Sequence, residues 1–324
     1  MKKIAFILVV FLCISSLKAQ ESSTVFNFLK LSSSAHAAAL GGSNISLIQD
    51  DATLIFHNPA LLSSVSDRTL NLNYMTYMQG SKVGSAAFTK TFGERSTWAA
   101  TAQFVHYGSM KQTTAQDVKI GSFSALDMAL NGVYSYNLSD FWAGGVTGKF
   151  IYSKYGDYSS IALGVDLGLN YYDEDKDFSA SIVAANLGGQ LKAFGDTHEK
   201  LPFDLQIGFT KGMSHAPFAF SLTLIDLTHW SSDYYYNPNK KANFSRILTN
   251  HIVAGVDWIP SKFFYLSAGY NFRRAYELKA AGSSHGAGLT FGGGLTLSRF
   301  KLGVAYAKYH VSTSSLVFNA SYSL

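Results

Sequence analysis

The chain has 324 residues, of which 47% are apolar and 15% are charged. Its mean hydropathy of +0.08 argues against a bundle of membrane-spanning helices. No apolar run beyond the N-terminus approaches the ~20 residues that such a helix needs. The single cysteine excludes a disulfide framework, and the length allows one large domain or two of ordinary size.

Residues 1–19 have the pattern of a secretory signal. A basic start precedes the apolar run "IAFILVVFLCI", and a small-residue cleavage pattern ends at Ala19. A lipid anchor on Cys13 is the alternative, but it needs a small residue where Leu12 stands. We therefore predict that residues 1–19 are removed. Taking their three lysines from the 26 basic residues leaves 23 against 21 acidic residues, a balance not typical of nucleic-acid-binding proteins.

Residues 20–68 follow no regular period. The stretch "SSAHAAAL" predicts a short helix that ends at Gly41 and Gly42. It is followed by "DDATLIFHNPALLS", in which Asn58 and Pro59 indicate a turn. Because the segment is so irregular, we expect it to have a different environment from the rest of the chain.

From residue 69 onward, apolar residues recur at every second position. In "IALGVDLGLNYY", Leu163, Val165 and Leu167 fall on one side of an extended chain and Asp166 falls on the other. About fourteen such segments recur, most of them ~10 residues or longer, the length that a tilted strand needs to cross a bilayer. The predicted strands are 69–79, 82–92, 96–107, 123–137, 141–154, 158–172, 177–186, 202–210, 217–227, 251–259, 262–273, 286–297, 299–309 and 315–324.

The connections between these segments tend to alternate in length. The longer ones are 108–122, 187–201, 228–250 and 274–285. Short turns on one side and longer loops on the other are typical of outer-membrane barrels. A soluble sandwich also alternates, but its strands are typically shorter and its apolar faces point inward. We therefore predict an all-β fold, a transmembrane outer-membrane β-barrel of about fourteen antiparallel strands over residues 69–324, with its apolar side facing lipid.

A barrel also suggests a place for residues 20–68. The segment is too irregular to line a membrane edge, so we predict that it is a plug inside the barrel or at its mouth. A periplasmic extension is the alternative. The motif residues of the predicted plug are Gly41, Gly42, Asp50, Asp51, Asn58 and Pro59.

Four stretches between residues 26 and 279 carry a family resemblance. They are "FNFLKLSSSAHAAALGGSNISLIQDD", "HNPALLS", "LPFDLQIGFTKGMSHAPFAFSLTL" and "IPSKFFYLSAGYNFRRAYELK". In their order and spacing they resemble the FadL-like outer-membrane proteins of the Bacteroidota, and within that family the PorQ-type members of the type IX secretion system. The PorV-type members share the barrel and an "NPA" element, but they look longer and lack the "LPFDLQ…HAPF" block.

The resemblance implies a non-enzymatic role at the cell surface. PorQ-type proteins are thought to anchor a PorZ-like surface protein in an attachment complex with PorU and PorV, which removes the cargo sorting domain and joins the cargo to lipopolysaccharide. The implied partners are therefore outer-membrane lipid, lipopolysaccharide and these proteins, with no nucleic acid and no cofactor. Two alternatives stay open: a FadL-type channel for hydrophobic small molecules, and a PorV-like carrier of cargo sorting domains.

Motifs for catalysis or metal binding are weak. Asp173, Asp175 and Asp177 have the spacing of a calcium loop, but Phe178 and Ala184 stand where that loop needs Gly and Glu. The nine histidines are scattered and form no HExxH motif. No Ser-His-acid set can be singled out, because such sets are assembled in space. We therefore expect no catalytic and no metal site.

The loop 228–250 is the best candidate for a partner-binding surface. Its aromatic and basic residues are of the types enriched at interface hot spots, although an aromatic girdle with ordinary solvated charge explains them equally well. Three residues on another predicted outer loop can join them. The candidate residues are Trp230, Tyr234, Tyr235, Tyr236, Lys240, Lys241, Arg273, Arg274 and Tyr276.

Overall fold

The computed structural model describes residues 24–77, 80–231, 243–280, 285–311 and 313–324, and it shows a closed antiparallel barrel. Fourteen strands pair in sequence order, and β1 closes the ring by pairing with β14. The strands are β1 (Thr69–Thr76), β2 (Lys82–Phe92), β3 (Ser96–Thr113), β4 (Lys119–Asn137), β5 (Trp142–Tyr155), β6 (Tyr158–Asp173), β7 (Phe178–Lys192), β8 (Asp204–Gly212), β9 (Phe218–Leu224), β10 (Ile252–Ser261), β11 (Phe264–Asn271), β12 (Leu289–Leu297), β13 (Phe300–Ala307) and β14 (Ser315–Ser323).

All fourteen predicted segments are strands, but three are longer than predicted. β3 continues to Thr113 and β4 begins at Lys119, where a loop over 108–122 was expected, and β7 continues to Lys192. In these extensions most residues on both faces are exposed. Because neither face is buried, polar residues occur on both, and the period-two signal disappears.

The two ends of the barrel differ as predicted. The turns that include 93–95, 138–141 and 174–177 lie at one end, called the short-turn end. The connections over 193–203 and 225–251 lie at the other, called the long-loop end. This asymmetry is typical of outer-membrane barrels, in which the short turns face the periplasm.

The apolar side of each strand faces outward. Leu163 and Leu167 are 48% and 49% exposed, whereas Asp166 between them is 4% exposed and faces the lumen. β1 and β14 show the same alternation, with exposed apolar residues outside and mostly polar residues inside, where Met75 and Val317 are the buried apolar exceptions. The predicted orientation is therefore confirmed, and the outer surface has the apolar band expected of a lipid-facing barrel.

Aromatic pairs lie at the short-turn end of this band. The rings of Trp98 and Tyr134 have centroids 4.7 Å apart, and those of Trp142 and Tyr171 are 5.1 Å apart. Tyrosine and tryptophan are enriched at this level of a membrane because one part of each side chain is apolar and another can bind water. The pairs indicate where the apolar band ends.

Residues 24–68, called the N-terminal segment, lie within the barrel. Helix α1 (Ala35–Ala39) packs against β11–β14, and the 3-10 helix Pro59–Ser64 packs against β3–β6 on the opposite wall. Two further 3-10 helices are Asn27–Lys30 and Leu54–Phe56. The segment therefore spans the lumen, and its action as a plug stays a prediction.

The N-terminal segment also runs from one end of the barrel to the other. At the long-loop end the Val25 N–H donates to the Lys200 carbonyl oxygen at 3.1 Å. At the short-turn end the segment leads into β1, where Thr69 lies opposite Ser323 of β14.

Two helices lie at the long-loop end, and the second begins at Phe272, within the predicted strand 262–273, because β11 ends at Asn271. They are α2 (Phe244–Asn250) and α3 (Phe272–Ala280), and a 3-10 helix, His285–Gly288, follows α3. Asn243 caps α2, because its side chain accepts the Arg246 N–H. Among the described residues, no helix has the length and apolar character needed to cross a membrane.

Candidate functional site

The motif glycines of the N-terminal segment end helix α1 and tie it to the wall. Gly41 and Gly42 have φ angles of 101° and 91°, in the left-handed region that favours glycine. The Gly41 N–H donates to Thr290 Oγ1 at 2.9 Å, and its carbonyl oxygen accepts from Asn271 Nδ2 at 3.1 Å. The Gly42 N–H donates to the Ala37 carbonyl oxygen at 2.8 Å.

Asn58 and Pro59 begin the longest 3-10 helix of the segment. Asn58 Oδ1 accepts the Ala60 N–H at 2.9 Å, and Pro59 occupies the first helical position, where no N–H is needed. Asn58 Nδ2 donates to the Ile45 carbonyl oxygen at 2.7 Å, which joins two turns of the segment. These residues therefore have a structural role.

Asp50 and Asp51 stabilise the segment near the short-turn end. The Asp50 carboxylate accepts from the Ser66 N–H at 2.7 Å and the Ser66 hydroxyl at 2.6 Å, and it pairs with Lys301 of β13. Partial burial raises the pKa of Asp50, but the hydrogen bonds from Lys301 and Ser66 outweigh it, so the pKa is lowered. Asp51 Oδ1 accepts the Thr53 N–H at 2.9 Å.

The candidate partner residues lie in different surroundings. Trp230 is 44% exposed, and its indole N–H donates to the Leu227 carbonyl oxygen at 2.7 Å. Tyr276 is partly buried, with the Arg246 guanidinium carbon 4.3 Å from its ring centroid. Outside the described residues lie Tyr234, Tyr235, Tyr236, Lys240 and Lys241. The aromatic surface of this loop therefore stays a prediction.

Arg273 and Arg274 lie at the long-loop end, but their side chains do not face outward as expected. Both belong to α3 and line the lumen. Arg273 forms ion pairs with Asp226 and, at 2.7 Å between Nε and Oε1, with Glu277. The Arg274 guanidinium carbon lies 4.2 Å from the Tyr309 ring centroid. Helix α3 begins directly after β11, and it directs the side chains of Arg273 and Arg274 into the lumen. Their charge is therefore not presented on the outer surface to a partner.

A cavity of about 290 Å³ lies in the lumen between the N-terminal segment and the wall. It extends from the middle of β4–β6 to the underside of α3. Four acidic and four basic side chains line it: Asp166, Asp204, Asp226, Glu277, Lys30, Lys149, Arg273 and Arg274. The cavity therefore carries many charged groups of balanced formal charge, alongside apolar side chains such as Ile55, Phe56 and Leu278.

Four residues on three adjacent strands form a polar cluster in this cavity. Asn131 of β4 lies opposite Lys149 of β5, and Thr147 of β5 lies opposite Asp166 of β6. Residues paired in this way have side chains close enough to interact. Lys149 Nζ lies 2.7 Å from Asp166 Oδ2 and 2.8 Å from Asn186 Oδ1.

Two histidines of the N-terminal segment have pKa values shifted in opposite directions. Burial, with Lys149 nearby, lowers the pKa of His57 to about 4, so its ring is neutral at pH 7. Burial also lowers the pKa of His36, but Asp257, whose Oδ1 lies 2.8 Å from Nε2, outweighs it and raises the pKa. His57 Nε2 lies 3.0 Å from Ser32 Oγ.

A second feature stands at the long-loop end and is called the β3–β4 ribbon (residues 109–124). Pairing between β2 and β3 ends at His106, and pairing between β4 and β5 ends at Ala125. Beyond these points β3 and β4 pair only with each other in the part of the chain that the structure describes. Val118 and Ile120, near the tip, are 57% and 59% exposed. The ribbon therefore projects from the barrel with free edges and exposed apolar side chains.

Sequence reasoning did not find the polar cluster or the ribbon. The alternation around Asp166 places that residue in the lumen, but Asn131 and Lys149 become its neighbours only through the register of β4–β6. The ribbon lacks the period-two pattern altogether. Long polar stretches with β-branched residues, such as "QTTAQDVKI", were the available signal.

Comparisons with known proteins identify the fold. No protein-family model matches the chain, and no curated protein matches it. Among solved structures, the Pseudomonas putida toluene transporter TodX is 12% identical, with a TM-score of 0.54 and coverage of 89% of this chain and 96% of its own. The Ralstonia pickettii toluene transporter TbuX is 12% identical, with a TM-score of 0.54, and the match covers 92% of this chain and 98% of TbuX. A Pseudomonas aeruginosa FadL homologue is 11% identical, with a TM-score of 0.55, and the match covers 89% of this chain and 97% of the homologue.

The chain thus has the fold of the FadL-type outer-membrane β-barrels. The match covers most of the chain and nearly all of each neighbour. At 11–12% identity the likeness concerns the fold, and it carries no ligand or partner from one protein to the other.

Proposed function

We propose that this chain is a non-enzymatic, integral outer-membrane barrel that anchors a protein complex at the cell surface, with its long-loop end outside. The proposed partner is a PorZ-like surface protein, acting with PorU and PorV in type IX secretion, in a membrane that contains lipopolysaccharide. The sequence resemblance suggests these partners. The structural observation that supports an anchor is the β3–β4 ribbon.

The ribbon has the properties of a docking element. An isolated two-stranded hairpin is at best marginally stable in water, and an exposed strand edge is a template for pairing with another chain. Val118 and Ile120 add exposed apolar side chains near the tip of the ribbon. A surface partner that adds a strand or covers these side chains gives the ribbon a role that the barrel alone does not.

The second candidate is a channel for hydrophobic small molecules. The fold neighbours described as toluene transporters favour it. The lumen argues against it, because the cavity carries eight charged side chains and the N-terminal segment spans the space between the walls. A hydrophobic solute placed there would contact apolar side chains such as Ile55, Phe56 and Leu278, but it would also displace water from the charged groups, which costs free energy. A third candidate, a PorV-like carrier, is distinguished by binding of an isolated cargo sorting domain.

Affinity purification from gently solubilised outer membranes tests the anchor. We expect a PorZ-like protein to accompany the tagged full chain, and to be lost when residues 109–124 are replaced by an Asn-Gly turn. Val118→Ser with Ile120→Ser should weaken retention at least tenfold. Gln112→Ser with Gln116→Ser, on the same ribbon, is the matched polar control and should retain the partner.

Two other outcomes contradict the proposal. Full retention of the partner by the chain without the ribbon removes the ribbon as the docking element. A barrel that purifies alone with a bound hydrophobic molecule supports the channel instead. Heat-dependent gel mobility of each variant verifies that the barrel has folded.

A further inference from the structure

A groove of about 960 Å³, called the outer groove, lies on the lipid-facing side of the barrel, across β1 and β11–β14. Gly293 of β12 and Ala320 of β14 belong to the outward alternation of their strands, and their small size leaves space between larger neighbours. These neighbours are exposed apolar side chains, among them Leu266, Phe291, Leu302, Val304 and Phe318. The groove is therefore an apolar depression within the apolar band.

The outer groove has the length of one acyl chain in a single membrane leaflet. Along β13 it extends from Leu302 to Tyr306, four steps of about 3.3 Å each, or about 13 Å. The hydrocarbon core of a bilayer is about 30 Å thick, so one leaflet contributes about 15 Å. Tyr306 lies one residue before the end of β13, which places this end of the groove at the long-loop end.

Two lysines stand at the long-loop end of the groove. Lys82 is exposed and lies opposite Thr76 of β1. The Thr76 hydroxyl oxygen accepts from the N–H of Leu316, which lines the groove, at 2.9 Å. Lys308 follows directly after the end of β13. Neither the β1–β2 connection nor the β13–β14 connection contains an acidic residue, so this end of the groove carries positive charge.

Two tyrosines lie between these lysines and the apolar part of the groove. Tyr74 of β1 and Tyr306 of β13 both line the groove near its long-loop end. The Tyr306 hydroxyl oxygen lies 2.8 Å from Ser314 Oγ. Tyrosine is enriched where the hydrocarbon of a membrane meets its headgroups. From the long-loop end, the groove thus presents positive charge, hydroxyl groups and apolar side chains in the order of the parts of an anionic lipid.

We propose that the outer groove binds one anionic lipid of the leaflet at the long-loop end. An acyl chain lies over Gly293 and Ala320, where it contacts side chains on both sides as well as the floor. The headgroup phosphate lies at Lys82 and Lys308, because basic residues next to the apolar band attract anionic lipids. The groove is continuous with the lipid-facing band, so lipid is the occupant that reaches it. The site does not depend on the proposed anchor role.

Native mass spectrometry of the purified full chain, released from a non-ionic detergent, tests the proposal. The probe is dioleoyl phosphatidylglycerol, and dioleoyl phosphatidylcholine, with the same acyl chains and no net charge, is the matched lipid. We expect one phosphatidylglycerol to bind at least tenfold more tightly than phosphatidylcholine. Glycerol 3-phosphate, which has the phosphate without acyl chains, should not bind.

The headgroup contact is tested by charge removal. Lys82→Gln with Lys308→Gln should reduce the preference for phosphatidylglycerol to less than twofold. Lys154→Gln with Lys192→Gln removes the same charge at the long-loop ends of β5 and β7, away from the groove, and should leave the preference unchanged.

The acyl-chain contact is tested by filling the groove. Ala320→Phe places a ring on its floor and should weaken phosphatidylglycerol binding at least tenfold. Ala102→Phe is the control, because Ala102 belongs to the outward alternation of β3 and lies outside the groove. Heat-dependent gel mobility shows whether each variant folds.

Four results overturn the proposal. Equal binding of the two lipids by the unmodified chain removes the headgroup contact. A preference that survives in the folded Lys82→Gln, Lys308→Gln variant places the headgroup elsewhere. Unchanged binding by the folded Ala320→Phe variant removes the acyl chain from the groove. Glycerol 3-phosphate that binds as tightly as the lipid indicates a site for phosphate alone.

Discussion

The inward-facing glycines of the strands determine how closely the N-terminal segment approaches the wall. A Cβ added at Gly145 of β5 would lie well within 3.0 Å of the Pro59 and Ala60 backbone atoms, a separation that real Cβ atoms essentially never show. A Cβ added at Gly269 of β11 would likewise lie within 3.0 Å of backbone atoms of Leu40 and Gly41. The absence of a side chain at these positions lets backbone contact backbone.

We predict that Gly145→Ala destabilises the barrel, whereas Gly148→Ala does not. A methyl group at 145 must displace the backbone of the 3-10 helix Pro59–Ser64, and overpacking of this kind costs about 1–3 kcal/mol. A Cβ at Gly148, in the same strand, meets nothing within 4 Å. The stability of each variant is measured as the urea concentration at its unfolding midpoint in detergent. Equal midpoints would mean that the segment does not pack against β5.

At the scale of elements, the N-terminal segment is held to the wall at several levels. Asp50 pairs with Lys301, His36 with Asp257, and Gly41 with Thr290 and Asn271. These contacts involve β10–β13, on one side of the barrel. The segment is therefore packed as part of the fold, and an anchor does not require it to move.

A disulfide between α1 and β13 tests whether the segment has to move. A Cβ at Gly303 would lie 3.4 Å from the Ala35 Cβ, near the range in which a disulfide forms. We predict that Ala35→Cys with Gly303→Cys forms this bond on oxidation, seen as a shift on a non-reducing gel. The locked protein should still retain its surface partner, to the same extent as after reduction.

Each single cysteine variant is the control for this experiment, because neither can form the bond. Loss of the partner on oxidation alone would contradict a static anchor. Uptake of toluene by the reduced protein that stops on oxidation would instead support a channel opened by movement of the segment.

At the scale of the whole molecule, the barrel directs large apolar side chains outward, whereas its interior combines polar residues with apolar clusters formed between the wall and the N-terminal segment. The exposed side chains of Leu163 and Leu167 and the buried carboxylate of Asp166 illustrate this on a single strand. Such a surface is stable only against lipid or detergent, because in water it forms an apolar patch far larger than monomeric soluble proteins expose.

We predict that Leu167→Arg impairs folding into lipid vesicles by about 2–4 kcal/mol, because it places a charge near the middle of β6 on the lipid face. Tyr158→Arg, at the long-loop end of the same strand and 66% exposed, should cost at most about 1 kcal/mol. Equilibrium unfolding titrations in vesicles measure the difference. Equal effects of the two substitutions would contradict a lipid-facing position for Leu167.

The sequence by itself determined the strand number, the strand positions and the face of each strand that meets lipid. These are local properties, since burial of one face of a strand imposes a period of two on the residues within it. The helix at Ala35–Ala39, ended by Gly41 and Gly42, was also predictable because its stop signal is adjacent in the chain.

Only the tertiary structure decided the contents of the lumen and the shape of the long-loop end. Asn131, Thr147 and Asp166 come together through strand register, which depends on hydrogen bonds between residues distant in sequence. The inward direction of Arg273 and Arg274 depends on how α3 folds over the barrel. The ribbon projects because β2 and β5 end before β3 and β4 do, and its own residues, solvated on both faces, carry no pattern that reports this.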